Sequence, residues 1–488
     1  MKSKILITIP SIIIANAFFT QNRIFQNLAD EFDIHICAYT GAAKGTDPSI
    51  FNNMGFKGIC GYDFSEKRRR LFPYQLQINT LGGRKLSRNC SVIYEMNKGS
   101  YGNIRQRMIH RISGITNYST KLMNHLFEKY IGENEIIKDI IDSVRPDLII
   151  TFLGGNTVTE IESIKSARLH GIPIVGLQYS IDNLCTRGLM PFLPDYMGVW
   201  GYQSRILAEK IHNMPTERIF HVGAPFGDEF KKPCTQTDSE LRAKLGLPKR
   251  KRILLYAGSI WAYNEVRNLR LIEDAIEAGD LDNCCVFYRP HPFQHSVRGD
   301  MDFSNQKFKH VQIDPALRKH YTTVKNQQID FDFSRVTTSI DFAYQKRVLT
   351  TASVIIAQVS TMMIQGAFLG TPSIGLLYVD RANERFWRRS EFEEMHLTKA
   401  MPGICLCLHP DKLIDDCRKA LRWAEDKNII NSMKKHAASA IYDDDLTYTQ
   451  RVRYTINSIL HPDDNSVFNY LSKPCINIRN KENVIDYQ

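Results

Sequence analysis

Four consecutive residues, Arg289-Pro290-His291-Pro292, follow the apolar run Cys284 to Tyr288 and carry the densest chemistry in the chain. A guanidinium can hold a diphosphate through paired hydrogen bonds, and a neighbouring imidazole can donate to a phosphate oxygen or protonate a departing one. The same residues also suit a rigid, proline-bounded turn that needs no ligand. A second group is Ser360-Thr361, followed by Gln365 and then by Gly370-Thr371-Pro372. Serine favours a helix N-cap and glycine a helix end, which explains the pattern structurally. Two hydroxyls and free N–H groups at a helix start also make an anion site. Gln365 lies about one and a half turns further on, within reach of a ribose hydroxyl only where the helix start is open. The third group, Gly258-Ser259, is a turn at which backbone can approach a ligand closely.

Each group ends an apolar run that reads as a buried parallel strand: Ile253 to Ala257 before Gly258, Cys284 to Tyr288 before Arg289, and Val354 to Gln358 before Ser360. Open α/β sheets bind ligands beyond the C-terminal ends of their strands, so three such ends in one domain predict a nucleotide site. Amphipathic stretches at Glu265 to Ala278 and Thr361 to Leu369 supply the crossovers, and Ser373 to Tyr378 a further strand. The first half shows the same alternation: strand Ile5 to Ile9, helix Gln21 to Glu31, strand Ile34 to Ala38, helix Ile136 to Val144, strand Leu148 to Leu153 into Gly154-Gly155-Asn156, helix Thr157 to His170, and a strand to Gln178. Alternation of this kind predicts parallel sheets with helical crossovers. The expected fold is therefore α/β, with two Rossmann-like domains whose parallel sheets face a central crevice.

The expected boundaries are residues 1–230 for an N-terminal acceptor domain, 231–252 for a polar linker with one short helix, 253–425 for a nucleotide-donor domain, and 426–488 for a helical tail. A chain of 488 residues suits two cores rather than one. Its composition, 43% hydrophobic and 24% charged, disfavours a disordered or polytopic membrane protein. Eleven cysteines form no paired metal-site spacing and several sit in apolar runs, so buried free thiols and a reducing compartment are expected. The basic N-terminus before Ile5 imitates a signal peptide, but Pro10-Ser11 divide the apolar run and a first strand is the better reading. Asp443-Asp444-Asp445 reads as a turn or helix start rather than a metal site, since three adjacent acids point in different directions.

The net charge of +11 is concentrated in an insertion at 61–132, where Lys67, Arg68, Arg69, Arg70, Arg84, Lys85, Arg88, Arg105, Arg107 and Arg111 alternate with apolar residues. Residues 67–111 are thus a candidate surface for anionic lipid headgroups or a polyanionic acceptor, beside the plainer reading of a solvated basic face. No zinc-finger spacing or RNP signature accompanies the charge, which argues against nucleic acid.

Gly258-Ser259, Arg289-Pro290-His291-Pro292 and Ser360-Thr361 through Gly370-Thr371-Pro372, in that order, resemble bacterial surface-polysaccharide transferases of the GT-B architecture over roughly Asp147 to Asp380. The His-Pro pair is similar to the donor-phosphate motif of polysialyltransferase and capsule Kdo-transferase relatives, and Arg-Pro-His-Pro also resembles teichoic-acid CDP-glycerol glycerophosphotransferases. Val222-Gly223-Ala224-Pro225 with Asp228 is similar to a turn closing the first domain in these enzymes and in UDP-N-acetylglucosamine 2-epimerases. The resemblance implies transfer of a sugar or glycerol phosphate from a nucleotide-activated donor to a cell-surface polysaccharide or lipid-linked acceptor. It implies donor contacts from Gly258, Ser259, Arg289, His291, Ser360, Thr361 and Gln365, with His291 catalytic and no metal or other cofactor. From the cysteine usage a cytoplasmic protein is expected, with residues 67–111 a candidate for association with the inner face of the membrane. Gln365 stands where many relatives carry glutamate, and no acidic motif marks the acceptor base. By position the candidates are Asp182, with Gly154, Gly155 and Asn156 on the acceptor side. A UDP-sugar 2-epimerase and a nucleotide-binding scaffold without catalysis are the alternatives.

Overall fold

The computed structural model describes residues 2–41, 45–63, 108, 125–126, 128–153, 158–185, 190–234, 236–258, 264–291, 303, 306–318, 342–358, 360–378 and 400–462. The chain forms two compact units, one of residues 1–228 with 391–394 and 439–488, the other of 229–390 with 395–438. Most of the basic insertion lies outside the described residues, and with it the membrane-docking expectation for 67–111.

The first unit holds a seven-stranded sheet of order β3-β2-β1-β4-β5-β6-β7. Its strands are β1 (Lys4–Ile9), β2 (Asp33–Tyr39), β3 (Gly58–Tyr62), β4 (Leu148–Leu153), β5 (Ile174–Gln178), β6 (Tyr196–Val199) and β7 (Ile219–His221). Every neighbour pair is parallel. All six residues of β4 are buried, the pattern of a strand covered on both faces. Among the described residues, its longer crossovers and turns carry the helices α1 (Ile12–Ala15), α2 (Glu135–Val144), α3 (Val158–Leu169) and α4 (Tyr202–His212). One expectation is corrected. The helix placed at Gln21 to Glu31 begins earlier, as α1 running into a π-helical stretch Asn16–Gln21, and only Gln26–Leu28 is helical beyond it. The apolar run after Ser11 buries Ile12, Ile14, Phe18 and Phe19, so burial of that run, rather than amphipathic spacing, sets the helix.

The chain passes into the second unit within α5 (Gly227–Lys231), and α6 (Asp238–Leu245) follows. Thr237 and Glu240 cap α6 reciprocally and Gly246 ends it at φ 69°. A six-stranded sheet follows, of order β10-β9-β8-β11-β12-β13. It is built from β8 (Arg252–Ala257), β9 (Cys284–Arg289), β10 (Val311–Ile313), β11 (Val354–Gln358), β12 (Ser373–Leu376) and β13 (Ile404–Cys407), again all parallel. Helices α7 (Glu265–Glu277), α8 (Phe342–Thr351), α9 (Thr361–Leu369) and α10 (Leu413–Trp423) belong to this unit. Then come α11 (Lys427–Ala440) and α12 (Tyr448–Leu460), the latter in the first unit. Both sheets thus have Rossmann-like order, with later strands added on either side of the first.

A buried arginine anchors α12. Arg451 is 1% exposed; its Nε donates to the Val222 carbonyl at 2.9 Å, and its Nη1 donates to Asp444 at 2.6 Å and to the Leu446 carbonyl at 2.8 Å. Asp228 accepts from the Tyr448 N–H at 2.8 Å, at the positive end of the helix. Gly223 has φ 81°, and a Cβ there would lie 2.9 Å from Arg451 Nη2. The Gly223-Ala224-Pro225 turn with Asp228 is therefore a seat for the last helix. Asp444 is spent on Arg451 as well.

Candidate functional site

Strand order reverses between β8 and β11 in the second sheet, which makes the C-terminal ends of these strands the switch point where such sheets take ligands. Register pairs Ala257 with both Arg289 and Ala357. Gly258, Arg289 to His291, and Ser360-Thr361 consequently leave three adjacent strands at one edge, as their positions in the sequence imply. Ser259 lies outside the described residues.

Gly258 is the tightest point of this edge. Its N–H donates to the Arg289 carbonyl at 2.8 Å. A Cβ on Gly258 would sit 2.8 Å from the His291 backbone nitrogen, 3.0 Å from Glu265 Oε2 and 3.1 Å from Pro290 Cα, so only glycine lets the strands close here. Glu265, in the first turn of α7, is 3% exposed and accepts a hydrogen bond from the Tyr288 hydroxyl at 2.5 Å. Its neighbour on the same helix, Asn268, donates to the Tyr256 hydroxyl at 2.9 Å. A buried carboxylate therefore stands beside the loop that carries His291.

Arg289 is placed differently from the exposed phosphate fork expected of it. β9 runs through Arg289, whose side chain is 5% exposed and pairs through Nε with Asp314 Oδ2 at 3.4 Å. Its guanidinium also lies 5.5 Å from the centre of the Tyr344 ring. The Tyr344 hydroxyl donates to Asp314 Oδ1 at 2.6 Å, and that oxygen also accepts from the Ala316 N–H at 2.9 Å. Burial first, and then the Asp314 charge, push the Tyr344 hydroxyl well above its ordinary value, so it stays protonated as the donor. Among the described residues, Arg289 Nη1 is buried without a hydrogen-bond partner. One arm of the guanidinium is thus committed to Asp314.

Ser360 occupies the N-cap position of α9 but makes no side-chain cap, and Thr361 opens the helix. Gln365 is 5% exposed, and its Oε1 accepts from Gln345 Nε2 of α8 at 2.6 Å. Its carbonyl is therefore directed to α8. In the first unit, Asp182 follows β5 in a turn where its Oδ1 accepts from the Ser180 hydroxyl at 2.5 Å. Gly154, Gly155 and Asn156 lie outside the described residues; β4, which they follow, flanks β1 at the switch point of the first sheet. Glu265, Asp314 and Tyr344 escaped the sequence reading, each being one residue in a segment with no motif. Among the described residues no group of three His, Cys, Asp or Glu is arranged to hold a metal, and no helix is long and apolar enough to cross a membrane.

Residues 194–357 match the family model of CDP-glycerol:poly(glycerophosphate) glycerophosphotransferases, about a third of the chain. The match supports transfer from a nucleotide-activated donor, and it spans Gly258, Glu265, Arg289 and His291. A search of curated proteins finds no match. Among solved structures, the chain is similar to a UDP-N-acetylglucosamine 2-epimerase of Listeria monocytogenes, at 11% identity and TM-score 0.49, covering 94% of this chain and 96% of that one. It is similar to the UDP-GlcNAc 2-epimerase of Neisseria meningitidis bound to UDP-GlcNAc, at 10% identity and TM-score 0.48, covering 93% and 99%. It is also similar to the wall teichoic acid polymerase TagF, at 11% identity and TM-score 0.44, covering 96% and 90%. Likenesses at this level do not choose between transferase and epimerase.

Proposed function

We propose that the chain transfers glycerol phosphate from CDP-glycerol to a hydroxyl of a cell-surface polymer or lipid-linked acceptor. The observation that carries this reading is the coincidence of the family match at 194–357 with the strand ends bearing Gly258, Arg289 and His291. In the reaction an acceptor oxygen bonds to the phosphorus that bears glycerol. The bond from that phosphorus to the bridging oxygen breaks, and CMP departs with the electron pair. His291 stabilises or protonates the departing phosphate, and such help contributes about 100-fold or more. The N–H groups and hydroxyls of Ser360-Thr361 and the Nη1 of Arg289 receive phosphate oxygens. Asp182, in the turn after β5, is the candidate base for the acceptor proton. The basic residues of 67–111 would face a polyanionic acceptor or an anionic membrane surface.

Thermal shift against CMP, CDP-glycerol, UMP and UDP-N-acetylglucosamine tests the donor site, since a ligand at 100 times its dissociation constant stabilises by about 2.7 kcal/mol. The cytidine ligands should shift the wild type and act more weakly on Arg289→Ala, each compared with its own ligand-free protein. A shift with uridine ligands alone would overturn the CDP-glycerol reading in favour of a UDP-sugar enzyme. No shift with any of them would leave a protein without this donor site.

A further inference from the structure

We infer that Cys37 and Cys60 form a thiol pair that a peroxide converts reversibly to a disulfide, a modification site at the edge of the first sheet. The two residues are register partners on the neighbouring parallel strands β2 and β3. Adjacent strands lie about 4.8 Å apart, inside the Cα separation of about 4.4–6.8 Å that a disulfide spans, and register partners point to the same face. The Cys60 Sγ reaches across to β2, where it donates to the carbonyl of Ile36, the neighbour of Cys37, at 3.3 Å, and the two thiols shift each other's acidity. Two residues earlier in the same register, a Cβ on Gly58 would lie 2.7 Å from His35 Nδ1, which shows how closely side chains on this face approach their partners.

The pair is asymmetric in a way that suits stepwise oxidation. Cys37 is fully buried, whereas Cys60, on the outermost strand, is only partly so. Cys37 holds the Cys60 thiol below its ordinary value, while Cys60 and burial hold Cys37 well above its own. Cys60 is thus the more acidic and more accessible sulfur, the profile of a redox-sensitive thiol beside a resolving partner. Its thiolate attacks one peroxide oxygen; the O–O bond breaks, hydroxide leaves, and Cys60 becomes a sulfenic acid. The Cys37 sulfur then attacks the Cys60 sulfur, the S–O bond breaks, and water leaves with the Cys37 proton. Two thiols lose two electrons and the peroxide becomes two waters. Of the seven other described thiols, Cys185 is buried and Cys234 is exposed, and burial raises Cys284, Cys285, Cys405, Cys407 and Cys417. The register partners of those on strands are Arg252, Ile253, Ile374 and Leu376.

The test treats the full chain with hydrogen peroxide under native conditions and recovers protein at its native elution volume. Remaining thiols are then alkylated, and the protein is digested without reductant for mass spectrometry. The expected result is a linked peptide pair containing Cys37 and Cys60, two fewer alkylated thiols out of the eleven, and restoration of both by dithiothreitol. In Cys60→Ser the link disappears and Cys37 stays alkylatable after the same treatment. The inference is overturned if both wild-type residues remain alkylatable, if Cys60 proceeds to sulfinic acid with Cys37 unlinked, or if the disulfide found joins other cysteines. The wild-type digest decides the matter even where the serine variant folds poorly.

Discussion

Replacing Arg451 with methionine removes a cation around which the end of the first unit is assembled. Methionine replaces much of the apolar stem, so the loss falls on what the guanidinium leaves behind. Those groups are the Asp444 carboxylate, whose side chain is 10% exposed, and the carbonyls of Val222 and Leu446. Breaking a buried ion pair from one side costs about 3–5 kcal/mol. A unit of this size loses about 2–4 °C in Tm for each kcal/mol, which puts the expected fall on the order of 10 °C. Adding Asp444→Asn neutralises the stranded charge and should recover about 1–3 kcal/mol of the loss. Scanning calorimetry of the wild type, Arg451→Met and the double variant reads both quantities. A single variant within about 1 kcal/mol of wild type, or a double variant no more stable than the single, would refute the claim that this pair seats α12.

Gly258→Ala places a methyl group 2.8 Å from the His291 nitrogen, so the strand ends must separate by several tenths of an ångström. CMP release should fall about tenfold or more, because misplacement near 1 Å costs about 100-fold. Gly227→Ala, with nothing near its added Cβ, should leave turnover unchanged, and equal effects of the two substitutions would exclude a special role for Gly258. His212 and His221 are held down to about 4, mainly by burial. Both are neutral in the folded unit, and the unfolded chain binds their protons first. The stability they confer is complete above about pH 6.5 and is lost progressively as pH falls toward 4, by roughly 3 kcal/mol per histidine. Urea unfolding across that range checks the slope, and a flat profile would contradict it. Tyr344→Phe strips the 2.6 Å donor from Asp314 and should destabilise the second unit by about 1–3 kcal/mol in urea, whereas an unchanged midpoint would show that the donor is dispensable.

The central strands were legible because β1, β4, β8 and β11 are apolar runs closed by proline, glycine or serine, the mark of strands buried on both faces. Short strands were not. Gly58–Tyr62, Val311–Ile313 and Ile404–Cys407 span three to five residues at or near sheet edges, too few for a periodic pattern. The order of Gly258, Arg289 and Ser360 along the chain was enough to place them at one edge, since parallel strands deliver their C-terminal ends together. Side-chain commitments were invisible. The sequence does not show that Asp314, a residue of a segment without pattern, takes the Nε of Arg289, or that Gln345 meets Gln365. Likewise Gly223 and Asp228 disclose their task only through Arg451 and Tyr448, more than two hundred residues away in sequence.

The most direct test of the proposed reaction is chromatographic detection of CMP from CDP-glycerol, with and without a glycerol-phosphate acceptor, for wild type and His291→Ala. The account predicts acceptor-dependent CMP release that falls about 100-fold in the variant while its melting temperature stays near that of the wild type. Undiminished release in His291→Ala would remove His291 from the chemistry. Conversion of UDP-N-acetylglucosamine to free UDP, with CDP-glycerol untouched, would contradict the account as a whole.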